Sequence, residues 1–88
     1  MNKESLKEIF LARIERLIQD LNKAIDSNSF DEITYREGQL NECLDIYQRI
    51  LYFEIPDSMW GSIIQIWHLV ETRVKEEKQK GKSETTHP

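Results

Sequence analysis

Histidine and cysteine are the side chains that most readily do chemistry near neutral pH, and this chain offers His68, His87 and Cys43. A helical spacing puts Glu71 one turn from His68. Those two groups fall short of the three or four protein ligands that hold a zinc ion. A Cys43–His68 nucleophile and base would have to be brought together by the fold, and no third group is in place to orient the base. Gly38, Gly61 and Gly81 stand alone, so no glycine-rich loop cradles a phosphate. Glu76-Glu77 lies in a charged run, where paired carboxylates are solvated. A single cysteine leaves no intramolecular disulfide, and no multi-thiolate metal site in a monomer. The sequence therefore reads as a non-enzyme, with no catalytic residue, cofactor or metal expected.

Large apolar side chains are more plentiful than catalytic ones. Trp60, Trp67, Met59, Tyr35, Tyr47, Tyr52 and Phe53 are many bulky groups for a chain of 88 residues, which can build only one small core. Tyrosine and tryptophan are favoured at interfaces because they supply contact area with few rotatable bonds. The same residues can also fill a helical bundle, so what they do depends on how many helix faces the fold covers.

Three amphipathic segments would position them. Leu11, Ile14, Ile18, Leu21 and Ile25 step by three and four residues, the period that lines one face of a helix. Leu6, Phe10 and Leu17 widen that stripe, and Ser5-Leu6-Lys7-Glu8 has the form of a capping box at its start. Ser27-Asn28-Ser29 breaks the helix, and Ser29-Phe30-Asp31-Glu32 is a second capping box. The second segment aligns Ile33, Leu40, Leu44, Tyr47 and Leu51, with Cys43, Ile46, Ile50 and Phe53 broadening the face. Gly38 inside it implies close backbone approach or a weak first turn. Pro56 ends the segment, and Asp57 or Ser58 caps a third with Trp60, Ile63, Trp67, Val70 and Val74 on one face, beside Met59, Ile64 and Ile66. Residues 75–88 carry no large apolar side chain. The fold class expected is all-α: an antiparallel helical hairpin plus a third helix, one domain over residues 1–80, with a helix stop near Gly81 and a disordered polar tail over 81–88.

The formal charge of −4 is placed locally. Residues 28–56 hold Arg36 and Arg49 against Asp31, Glu32, Glu37, Glu42, Asp45 and Glu54. An acidic middle helix does not neutralise phosphates, so direct, sequence-specific nucleic-acid binding is not expected. No apolar run reaches the ~18 residues of a membrane span, and no charged-apolar-small leader precedes the first helix. A cytoplasmic protein with no membrane contact is the expectation.

The stretch Leu51-Tyr52-Phe53-Glu54-Ile55-Pro56-Asp57-Ser58-Met59-Trp60 resembles the C-terminal signature of the Hha/YmoA family of bacterial nucleoid-associated regulators. That family shows a Leu-Tyr pair, Ile-Pro and Ser-Val-Trp at the same offsets. Leu21, Ile25, Asn28 and Phe30 are similar to its Leu-x-x-x-Ile-x-x-Asn-x-aromatic stretch, and Asp45 falls on the acid of its Ala-Glu-Leu element. The likeness covers residues 9–64, with a short gap after Phe30. Leu40-Asn41-Glu42 replaces the family's Asp-His-Arg motif, Met59 stands where Val is usual, and residues 65–88 extend past the family's end. The resemblance implies a small helical adaptor that binds the dimerisation region of an H-NS-like silencer through charged contacts. Arg13 and Lys23 are in register with basic positions of the family, and with Asp45, Met59 and Trp60 they form the expected partner-binding set.

The function expected is thus a small, non-enzymatic regulatory adaptor that docks on a protein partner, an H-NS-like silencer being the partner the resemblance implies. The alternative is a secretion chaperone, immunity protein or phage-type inhibitor that presents its acidic helical face to a target. A homodimer, in which broad apolar stripes pair, is compatible with either.

Overall fold

The computed structural model describes the backbone of residues 2–85 and the side-chain surroundings of residues 2–79. Its elements are α1 (Lys3–Asp26), α2 (Phe30–Asp45), a π turn (Ile46–Ile50) and α3 (Asp57–Thr85), with no strand among the described residues. The all-α bundle is as the periodicity implies. α1 packs along both other helices, whereas α2 and α3 touch only sparsely. The core collects Ile14, Leu17, Ile18, Leu21, Ala24 and Ile25 from α1, Ile33, Leu40, Cys43 and Leu44 from α2, and Ile63, Ile66 and Val70 from α3. Tyr47 from the π turn and Ile55 from the following loop complete it.

The helix starts differ from the capping boxes read in the sequence. α1 begins two residues before Ser5, because the Asn2 side-chain oxygen accepts the Ser5 backbone N–H at 2.8 Å. Asparagine caps as well as serine does, and this choice adds a turn to the helix. Ser29 is the N-cap of α2 but makes no side-chain capping bond. Its own N–H is taken by the Ala24 carbonyl at 3.3 Å as the chain leaves α1. α3 starts directly after Pro56, whose carbonyl accepts the N–H groups of Met59 and Trp60, both at 3.0 Å. Asp57 is then the first helical residue, an acid where the helix dipole favours one.

Gly38 is also corrected. A Cβ added there would meet nothing within 4 Å, so neither close packing nor a turn requires glycine. The second helix ends before Pro56: regular α geometry stops at Asp45, a π turn follows, and Tyr52 adopts a left-handed φ of 57°. A π turn takes one extra residue per turn, which rotates everything after it. Leu51 is therefore only half-buried, and Ile50 is turned out to solvent. α3 continues through Gly81 to Thr85, past the expected stop, because a single glycine within a helix costs only about 1 kcal/mol. The remainder of the expected tail, residues 86–88, lies outside the described residues. No helix among the described residues is long and apolar enough to cross a membrane.

Candidate functional site

Local sequence chemistry builds the region where α2 meets α3. Tyr47 is wholly buried between Phe10 and Phe53, with ring centroids 6.2 and 5.2 Å away, and its hydroxyl donates to the Glu54 carbonyl at 3.3 Å. That anchor holds the loop over residues 51–56 against the end of α1. The Leu51 N–H reaches the Ile46 carbonyl at 2.9 Å and the Phe53 N–H reaches the Tyr47 carbonyl at 3.0 Å, closing the turn around Tyr52. Asn28 plays the same left-handed role after α1, where asparagine is at ease. A bulky aromatic residue is not: the left-handed region costs it about 1–2 kcal/mol. Tyr52 is nonetheless 84% exposed, so packing gives no return on that strain.

Two grooves flank this turn. Between α1 and α2, a cavity of about 410 Å³ is lined by Ile9, Phe10, Arg13, Gln39, Glu42, Cys43 and Ile46. Ile9 and Ile46 form its apolar rim, and Ile9 is more than half exposed. Burial pushes the Cys43 thiol above its ordinary pKa; Arg13 pulls it back in part and Glu42 adds to the rise. A thiol so held stays protonated at neutral pH and behaves as a small apolar group.

Between α2 and α3 a larger cleft of about 810 Å³ opens because those helices diverge. Leu44, Trp67, Val70 and Val74 form its floor, Glu37 and Asp45 one wall, and Lys75 and Lys78 the other. The Trp67 indole N–H donates to Asn41 Oδ1 at 2.9 Å across the cleft, which fixes the ring in its floor. Trp60 packs edge-on to Trp67 at 6.2 Å, and both are only partly covered. The tryptophans thus sit at the margin of the core rather than inside it.

The five residues expected to bind a partner fall on five different surfaces. Arg13 lines the α1–α2 groove, whereas Lys23 is exposed near the far end of α1. Asp45 faces the α2–α3 cleft and pairs with Arg49 at 3.3 Å. Met59 borders a shallow depression with Glu15, Ile18 and Gln19, and Trp60 one with Tyr52, Phe53 and Ile55. Sequence reasoning missed Ile9 and Asn41. It placed Ile64 in the α3 stripe, but that side chain is 58% exposed. A sharper signal for Ile9 and Ile64 is present in the sequence, since each falls one residue off its helix's seam. His68 is exposed on α3 while Cys43 lies beneath the α1–α2 groove. No group of three or more His, Cys, Asp or Glu side chains able to hold a metal occurs among the described residues.

Fold and grooves together define the class: a small three-helix bundle with two open, apolar-floored grooves and a strained aromatic turn between them. Comparisons with protein-family models, curated proteins and solved structures found no match.

Proposed function

We propose that this chain is a small non-enzymatic adaptor that works by docking on a larger protein through the α1–α2 groove. The observation that carries the reading is Ile9, more than half exposed at a groove lined also by Phe10, Cys43 and Ile46, with Arg13 and Glu42 beside them. Isolated exposed apolar residues are ordinary, but an apolar cluster at a cavity with a few charges at its edge is the form of a docking site. The resemblance to the Hha/YmoA family supplies the partner class, the dimerisation region of an H-NS-like silencer, with Arg13 and Lys23 as its charged contacts. The test is binding of the purified chain to a purified H-NS-type protein at low salt. Binding is expected, with loss in Arg13→Glu/Lys23→Glu and in Ile9→Asp. No binding by the unaltered chain sinks the proposal.

A second reading, an acidic escort or inhibitor, is favoured by the charge pattern of α2. Arg36 pairs with Glu32 at 3.3 Å and with Asp20 at 3.9 Å, and Arg49 with Asp45. Among the described residues Asp31, Glu37, Glu42 and Glu54 have no cationic partner. Such a face accelerates encounter with a basic target, and that acceleration fades with salt. An association rate indifferent to ionic strength would remove this reading.

A further inference from the structure

We infer that α3 pairs with the α3 of a second copy of this chain, running antiparallel, across the α2–α3 cleft and away from the α1–α2 groove. Asp57, Trp60, Ile64, Trp67, Glu71, Val74 and Lys78 step by three and four residues without a break, the a/d spacing of a helix–helix seam. At 100° per residue that stripe is centred about 90° from the direction of Ile63, Ile66 and Val70, which face the core. Trp60, Trp67 and Val74, on its near side, still pack against the core, while Ile64, on its far side, is the most exposed aliphatic side chain of α3.

Charge selects the occupant and its direction. The N-terminal end of the stripe is acidic, with Asp57 on α3 and Glu54 just before it, and neither has a cationic partner among the described residues. On the stripe side the C-terminal end carries Lys75 and Lys78 beside Glu71, while Glu77 lies on another side, near Asn28 and Phe30. Glu71 is held by Lys75 at 3.3 Å, and Glu76 leans to Arg73 at 3.5 Å, which leaves Lys78 without a carboxylate among the described residues. A parallel pair would set acid against acid and base against base. An antiparallel pair sets the Lys75–Lys78 end of one helix against the Glu54–Asp57 end of the other, and both ends are satisfied by one two-fold axis. Shape agrees. The molecule is 62 Å long while α3, the longest helix, accounts for about 44 Å, so the helices are staggered along the long axis. α3 runs on beyond Val74, its last residue packed on the core, and an antiparallel partner supplies a surface for that extension.

Sedimentation equilibrium of the full chain across micromolar concentrations is the first test. A dimer is expected; a monomer at high micromolar concentration overturns the inference. Ile64→Glu should yield monomer with unchanged helical circular dichroism, since this side chain supports no core contact, and a dimer that survives it overturns the inference. Lys75→Glu/Lys78→Glu should weaken association at least about tenfold, through like charges brought face to face. Direction is read in a Cys43→Ala background by mixing Asp57→Cys chains with Lys78→Cys chains. A mixed disulfide is expected, while cross-linking of Asp57→Cys to itself reports a parallel pair and overturns the proposal. Binding to an H-NS-type protein should persist in Ile64→Glu, so failure of the dimer and failure of the adaptor reading are told apart.

Discussion

The seam between α1 and α2 and the seam between α2 and α3 are built from similar side chains but differ in closure. α1 and α2 interlock around fully buried Ile14, Leu21, Ile33 and Leu40, and the Asp20–Arg36 pair at 3.9 Å ties the two helices together. α2 and α3 diverge, and what joins them is the Trp67–Asn41 hydrogen bond over the floor of an open cleft. Bulk differs as well: aliphatic residues fill the first seam, while two only partly covered indoles lie at the edge of the second. The first seam carries most of the buried core, and the second stays open.

That contrast can be broken from its strong side first. Leu21→Ala removes a fully buried side chain from the closed seam and should cost about 2–5 kcal/mol in chemical denaturation. A loss below about 1 kcal/mol would mean that this seam is not the core. Tyr47→Phe, at the hinge between the two seams, should cost about 0.5–1.5 kcal/mol through the bond to the Glu54 carbonyl. It also carries a pH signature. Burial, with a smaller contribution from Glu4, raises the Tyr47 phenol pKa, and burial raises the Cys43 thiol. In both, the unfolded chain ionises first, so the stability they contribute is complete below the unfolded values of about 8.5 and 10. It is lost as pH climbs through the folded values. Stability curves of the unaltered chain should fall above about pH 9, and Tyr47→Phe should flatten the part above about pH 10.

Smaller effects sharpen the picture of the exposed side. Tyr52→Gly should stabilise the fold by about 1 kcal/mol by relieving left-handed backbone, measured as a rise in the denaturation midpoint. A loss would show that the aromatic ring holds the turn. Gly38→Ala should add about 0.5–1 kcal/mol, since an exposed helical glycine with open space around it lacks a packing reason to be glycine. Ile64→Glu should leave the unfolding free energy of the monomer within about 0.5 kcal/mol of its starting value. A larger loss would place Ile64 in the core and close the second seam.

Much of the bundle is legible in the chain. The three-and-four spacing of Ile14, Ile18, Leu21 and Ile25 maps directly onto buried positions, because burial of one helix face is a local periodic property. The breaks at Ser27–Ser29 and around Pro56 are likewise local chemistry. Cap choice was less legible: Asn2 and Ser5 both have suitable side chains, and which one accepts the bond is decided by a small difference in backbone entry. The π turn left no readable signal. Leu51 continues the seam of Leu40, Leu44 and Tyr47 in the sequence, yet an inserted residue turns it aside. The candidate site was legible only in pieces. Arg13 lines a groove, but its apolar neighbours there, Ile9 and Ile46, come from two elements far apart in the chain.

The sequence by itself determined an all-α bundle, the identity of most core positions, and an acidic excess confined to residues 28–56. These follow from periodicity, turn chemistry and charge, each a property of neighbouring residues. Only the tertiary structure decided that α1 is the shared neighbour and that α2 and α3 splay apart. It also decided that Tyr47 is buried while Tyr52 stands in solvent, and that Ile64 of α3 is left exposed. The physical reason is volume. Which of several broad apolar stripes is covered depends on how side chains from distant segments fill one small space, and no spacing rule within a single helix contains that information.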